Sequence, residues 1–267
     1  MNLFLKTAIQ AAREAGKIQK RHLGKIHSIR FKGEINLVTE VDQMCEDKVI
    51  GILAKQFPDH EILAEESGLL KAKNNNRYKW FIDPLDGTTN YAHGYPVFCV
   101  SIGLAFRNQV ILGVVYDPTR NELFWAEKGK GARLNGKKIR VSPTGLLKRS
   151  LLSTGFAYNL KTETDNNFTH FANFLLHAQA VRRDGAAAID LCYVACGRYD
   201  GFWELDLKPW DTAAASLILR EAGGRVSTFS GGPFDLYGRE IVASHGKIHR
   251  DMVKILHGRR SGKPADL

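Results

Sequence analysis

Asp83 and Asp86 flank Pro84-Leu85 at the end of the apolar run Trp80-Phe81-Ile82, and Gly87-Thr88-Thr89-Asn90 follows. The apolar run predicts a buried strand that stops at Asp83-Pro84, because proline cannot donate to a ladder. The small residues beyond it have backbone N–H groups able to point at an anion. Magnesium takes oxygen ligands, usually a few carboxylates together with substrate phosphate oxygens. Carboxylates beside an open N–H cradle therefore suggest a metal and a phosphate held side by side. An Asp-Pro turn followed by an Asp-Gly turn accounts for the same residues without chemistry.

Two further stretches separate these readings. Glu65-Glu66-Ser67 lies upstream, at the end of a predicted strand. Adjacent carboxylates repel, so such a pair suits a cation, although a solvated acidic loop is the plainer alternative. Trp210-Asp211-Thr212-Ala213-Ala214-Ala215 lies far downstream. Asp83-Pro84-Leu85-Asp86-Gly87-Thr88 and the Trp-Asp stretch resemble the two signatures of the inositol monophosphatase family. These are magnesium-dependent, lithium-sensitive phosphatases, and Glu65-Glu66 falls where the family keeps its glutamate pair. Three motifs in order over most of the chain make the likeness specific, and it is strongest to the bacterial SuhB-type members.

The resemblance implies a role for each matching residue. Glu65, Asp83 and the Leu85 carbonyl would hold one magnesium ion, and Asp83, Asp86 and Asp211 a second. A third near Glu65 and Glu66 occurs in the family. Glu65, with Thr88 and Asp42 behind it, would orient the attacking water. The phosphate would rest on Gly87 and Thr88, next to Asp86 and Asp211. Glu204 and Gly185-Ala186-Ala187 would read the alcohol. Here the chain departs from the family's Gly-Thr-Ala or Gly-Ser-Ala, since Ala186 has no hydroxyl. Lys32 resembles a lysine near the metal site. Lys208 either contacts an anionic substrate or is a surface lysine. The same metal motifs occur in relatives that cleave fructose 1,6-bisphosphate, 3′-phosphoadenosine 5′-phosphate or histidinol phosphate.

Other chemistry is poorly supported. No Ser-His-Asp grouping or reactive-cysteine motif offers a covalent route, and Cys45, Cys99, Cys192 and Cys196 lack metal-site spacing. They read as buried thiols of a reducing cytosol. Lys6, Gln10, Arg13 and Glu14 break any signal-peptide core, and no apolar stretch is long enough to span a membrane. The net charge of +10 suits anionic substrates, nucleic acid or an acidic partner, but the basic residues are scattered. Together with the SuhB likeness it leaves open a second role, association with RNA polymerase or transcription factors. The resemblance also implies a homodimer.

The elements that must position these residues are legible in the periodicity. Leu5, Ala8, Ala12 and Ala15 predict a first helix that stops near Gly24. Thr39 predicts the cap of a second, running to about Phe57. Asp42, three residues on, suits a capping box, and this role is compatible with pairing to Thr88. Val97–Phe106, Gln109–Tyr116 and Glu122–Ala126 predict an antiparallel meander, and Asn135-Gly136 a further hairpin. A Pro/Gly break at 142–147 is the best candidate for a subdomain boundary in a chain otherwise read as one domain over 1–267. Beyond it, strands at 151–154, 199–204, 225–229 and 241–244 alternate with helices at 167–179, 186–196, 210–222 and 248–256. The mixture predicts an α+β fold, and the resemblance implies the layered αβαβα sandwich of the inositol monophosphatase and fructose-1,6-bisphosphatase type.

Overall fold

The apolar stripe near the N-terminus forms α1 (Leu3–His22), which Asn2 caps by accepting the Leu5 N–H at 2.8 Å. A computed structural model describes residues 2–25, 29–31, 37–71, 77–157 and 166–257. Lys32 and most of the 71–77 loop lie outside the described residues. A short antiparallel pair, β1 (Ile29–Phe31) and β2 (Leu37–Thr39), leads into α2 (Glu40–Gln56). β3 (Glu61–Ala64), β4 (Gly68–Leu70) and β5 (Tyr78–Asp86) follow, then the short α3 (Thr88–Ala92). The expected meander is β6 (Cys99–Phe106), β7 (Gln109–Asp117) and β8 (Glu122–Glu127), with the hairpin β9 (Ala132–Leu134) and β10 (Lys137–Lys138) at its edge. Arg107, Asn108, Asn135 and Gly136 all take positive φ, as the tight hairpin turns require.

These strands make one eight-stranded sheet in the order β10-β9-β8-β7-β6-β5-β3-β4. Residues from 151 on build a second sheet of five strands. They are β11 (Leu151–Thr154), β12 (Ala180–Arg182), β13 (Gly201–Leu205), β14 (Arg225–Ser227) and β15 (Glu240–Ser244), in the order β12-β11-β13-β15-β14. The remaining helices are α4 (Phe168–His177), α5 (Ala187–Ala195), α6 (Pro209–Glu221) and α7 (His249–His257). α1 and α2 cover one face of the large sheet. α5 and α6 lie between the two sheets, and α4 and α7 cover the outer face of the second. The result is the expected α+β sandwich with its αβαβα layering.

β5 does not stop at Asp83. It pairs with β6 through Asp83↔Ser101, breaks register, and resumes at Asp86↔Cys99. Pro84 occupies the break, where no ladder N–H is asked of it, so proline bends the strand without ending it. Trp80 and Ile82 pack towards α1 and α2, while Phe81 packs with Ala105 and Ala213 on the opposite face. A strand buried on both sides shows an unbroken apolar run, which is what the sequence has here.

α6 is seated on the large sheet by glycine. Gly103 and Gly113 are direct partners across β6 and β7. A Cβ on Gly103 would meet Ala213 Cβ at 2.9 Å, and one on Gly113 would overlap the backbone of Ala214. The alanines of the Trp-Asp stretch are thus the half of a close contact whose other half is a glycine pair. The Ser101 hydroxyl adds a bond to the Trp210 carbonyl at 3.2 Å. This contact fixes where Asp211 stands relative to Asp83 and Asp86.

Candidate active site

The bent end of β5, the start of α3, the start of α5, the end of β13 and the start of α6 converge on a pocket of about 410 Å³. Glu65, Asp83, Leu85, Asp86, Gly87 and Thr88 line it from the first sheet. Gly185, Ala186, Ala187, Glu204, Lys208 and Asp211 line it from the other side. Glu66 is not on the lining. Its N–H, with that of Ser67, donates to the buried Glu46 carboxylate at 2.9 and 2.8 Å. That clamp holds the turn carrying Glu65, and the sequence reading missed it because Glu46 looks like any helical glutamate.

Asp42 reaches the pocket through Thr88. Its Oδ2 accepts the Thr39 N–H at 2.8 Å and the Thr39 hydroxyl at 2.6 Å, the geometry of a capping box. Its Oδ1 lies 2.9 Å from the Thr88 hydroxyl, which is also 3.0 Å from the Leu85 carbonyl. One hydroxyl proton serves one acceptor at a time, so Thr88 sits at a branch point between helix cap and pocket. Both predicted roles of Asp42 are present together.

Gly87 precedes Thr88 with φ +95°, and a Cβ there would meet the Val97 carbonyl at 2.8 Å. Only glycine takes this corner without strain. The Asn90 amide donates to the Val97 and Asp184 carbonyls at 2.8 and 2.7 Å, tying α3 to the Gly185 loop. The Ala188 N–H, at the first turn of α5, donates to Asp86 Oδ2 at 2.8 Å. The Leu85 N–H donates to Asp83 Oδ1 at 2.9 Å, and the Lys208 N–H to Asp211 Oδ2 at 2.7 Å. Asp211 thus serves the start of α6 as an acidic first-turn residue while also facing the pocket. Gly155 packs against Glu204 so tightly that any Cβ would overlap the carboxylate. Asn90, Gly155 and the Gly103–Gly113 pair carry no local sequence signal, since each matters only through a long-range contact.

Electrostatics set this pocket apart. Six carboxylates line it (Glu65, Asp83, Asp86, Glu204, Asp206, Asp211) against two bases, Arg183 and Lys208. Burial pushes Asp83 well above the usual carboxylate range, and the negative charges of Glu65, Asp86 and Asp211 push it further. Burial takes Asp86 to about 7, opposed by the Ala188 N–H. Asp211 also rises to about 7, through burial and then Asp86, opposed by the Lys208 N–H and a hydrogen bond from Asp83. Glu204 is raised by burial first, then by Asp211 and Asp86.

Among the described residues no three carboxylate, histidine or cysteine side chains form a ready-made coordination cluster. The donor set nevertheless fits a hard divalent cation. Its side-chain donors are all carboxylate oxygens, the Leu85 carbonyl is at hand, and the mutual repulsion is of the kind a cation relieves.

Comparison with known proteins gives a consistent answer. Residues 1–260 match the sequence model of the Inositol monophosphatase family. An inositol-1-monophosphatase of Synechocystis sp. is 48% identical over 257 residues, covering 96% of this chain and 89% of its own. A protein of Neisseria meningitidis described as a putative Nus factor SuhB is 42% identical over 258 residues, covering 96% and 98%. The solved inositol monophosphatase of Anabaena (Nostoc) sp. superposes with a TM-score of 0.87 at 44% identity, covering 96% of this chain and 95% of that one.

Proposed function

The chain belongs to the inositol monophosphatase family, and from that premise we propose that it hydrolyses inositol monophosphate or a similar small phosphomonoester, using magnesium. The observation that carries this reading is the excess of carboxylates in the pocket. Six acids against two bases repel a phosphate dianion, and bound cations relieve that repulsion while leaving positive charge to meet it. A pocket that selects cations and then an anion suits metal-assisted phosphoryl transfer to water.

Asp83, Asp86, Asp211, Glu65 and the Leu85 carbonyl would hold the ions, two of them and a third where Glu65 provides for it. Magnesium, when bound, supplies positive charge against the phosphate oxygens and lowers the pKa of water. Asp42 fixes Thr88, and Thr88 with Glu65 would orient the attacking water. The phosphate would rest on the N–H groups of Gly87 and Thr88 at the start of α3. Glu204 and the Gly185-Ala186-Ala187 segment would read the alcohol, with Lys208 and Arg183 meeting residual negative charge. The test is turnover of inositol monophosphate, fructose 1,6-bisphosphate, 3′-phosphoadenosine 5′-phosphate and histidinol phosphate, each with and without magnesium. Magnesium-dependent hydrolysis of the first supports the reading, and hydrolysis of none of them rejects it.

A second role is favoured by the Nus-factor relatives and the +10 charge. On this reading the protein also associates with the cytoplasmic transcription machinery, independently of catalysis. Capture of RNA polymerase or transcription factors by wild type and by an Asp83→Asn variant alike would support it. A homodimer is a separate proposal that rests on the family likeness. The exposed Phe168, Leu175 and Leu176 of α4 supply an apolar face for self-association.

A further inference from the structure

α6 connects two pockets. Its first turn brings Asp211 to the carboxylate pocket, and its last turns wall a second cavity of about 540 Å³. Asp211 and Arg220 are nine residues apart, about 14 Å along the helix axis, so the two are separate sites. The second cavity is open to solvent and bordered by the start of β7, by Lys128 just after β8, and by the 234–237 loop. Its volume falls within the range of small-molecule sites.

Val110, Leu217, Phe234 and Leu236 supply apolar wall, and Lys128 and Arg220 supply positive charge. The two acids of the lining each accept backbone N–H groups, Glu221 on both oxygens and Asp235 on one. Glu221 accepts the Gly129 N–H at 2.7 Å and the Gly131 N–H at 2.8 Å, one on each oxygen. Asp235 accepts the Tyr237 N–H at 3.0 Å. The last carbonyls of α6 are also met, by the N–H groups of Ala222, Gly223 and Gly224. The two bases are in the opposite condition, for neither has a carboxylate partner among the described residues. The guanidinium of the exposed Arg220 lies over the Phe234 ring, 5.7 Å from its centroid. A guanidinium flanked by an aromatic face, with its donors uncommitted, is a receptor for a flat anion.

We propose that this cavity, bounded by Lys128, Arg220 and Phe234, is a second ligand site that binds a small organic anion. The ligand carries a carboxylate or phosphate group on an apolar body, with the charged group on Arg220 and Lys128 and the body against Phe234, Val110 and Leu236. This site is independent of the metal-dependent chemistry proposed above and stands if that reading fails.

Benzoate and phenylphosphonate serve as probes, since neither is hydrolysed and together they separate carboxylate from phosphate recognition. Each is titrated into the full-length, isotope-labelled protein in the presence of magnesium, and the amide shifts are followed. The expected result is saturable shifts of Val110, Lys128 and Tyr237 with at least one probe. Benzamide, of the same shape without the charge, is expected to bind at least about tenfold more weakly. Arg220→Gln and Lys128→Gln are each expected to weaken binding by about tenfold, with melting temperatures near wild type. The inference is overturned if neither probe shifts these amides, or if shifts appear only around Gly87 and Ala188. It is equally overturned if both variants bind as well as wild type, or if benzamide binds as well as the tighter of the two probes.

Discussion

Asp42 and Asp83 are equally hidden from solvent, at 1% and 2% exposure, yet they sit in opposite surroundings. Asp42 receives the Thr39 N–H and hydroxyl and faces the Thr88 hydroxyl. Burial raises its pKa, and each of those donors pulls it back. Asp83 has the Leu85 N–H for support and three carboxylates for neighbours, so burial and repulsion add. A buried acid surrounded by donors is part of the frame. A buried acid surrounded by acids waits for something positive.

The largest effect that could break this contrast is on catalysis. Asp83→Asn keeps the shape of the side chain but removes the charge proposed to be shared between ions. Hydrolysis is expected to fall by at least ~10²–10³-fold, with the magnesium-free protein no less stable than wild type. Near-normal turnover in a steady-state assay would place the ions elsewhere. Asp42→Ala should differ in stability and in metal binding, although loss of this carboxylate also frees Thr88 and lowers hydrolysis. It removes a capping box and leaves the Thr39 N–H short of its acceptor, so a loss of about 1–3 kcal/mol is expected in denaturant melts. Magnesium affinity should change little. If it collapses along with stability, the two aspartates are not of different kinds.

Asp190 sharpens the comparison. It is fully buried in the first turn of α5, and neither carboxylate oxygen has a hydrogen-bond partner among the described residues. Burial raises its pKa well above the usual range, with Asp184, Glu204 and Asp86 adding. The folded state therefore binds this proton more tightly than the unfolded chain. Stability is lost as pH climbs from the ordinary carboxylate pKa of 3.8 towards the raised folded value. Asp190→Asn should remove that loss and raise the melting temperature at pH 7–8 more than at pH 4. A lower melting temperature at pH 7–8 would show that Asp190 is held as an anion, with Arg183 as the nearest source of compensation.

The smallest predicted effect concerns Ala186, buried at the cap of α5 and on the pocket wall. A serine hydroxyl there offers one neutral hydrogen bond, worth a few-fold to about tenfold in affinity. Ala186→Ser should lower KM for inositol monophosphate with little change in kcat, and leave aryl phosphates nearly unaffected. An equal shift for both substrates would mean that the residue acts through packing alone.

The contrast also explains what the sequence revealed. Asp42 was legible as a cap because Thr39 stands three residues away. Asp83 and Asp86 stood out as two carboxylates flanking Pro-Leu before a run of small residues, and Asp211 through its resemblance to a family signature. The helix and strand content was legible in the helical stripe of α1 and the near-continuous apolar run of β6, whereas the layering came from the family resemblance. Proline in β5 misled, because a bulge in a bent strand and the end of a strand look alike locally. Glu46, Asn90 and Gly155 were invisible, since their partners lie at Ser67, Asp184 and Glu204. Asp190 was equally hidden: one acid in an apolar helix says nothing about which other acids the fold brings near it.

The most direct test of the central claim is calorimetric titration of magnesium into the substrate-free protein at pH 7, repeated in buffers of different ionisation heat. With Asp86 and Asp211 raised to about 7, part of the site is protonated there and must release protons as a cation binds. The account predicts saturable binding whose apparent enthalpy changes with the buffer, abolished in Asp83→Asn and retained in Asp42→Ala. Binding that is absent from the wild type, or that survives Asp83→Asn unchanged, would contradict it.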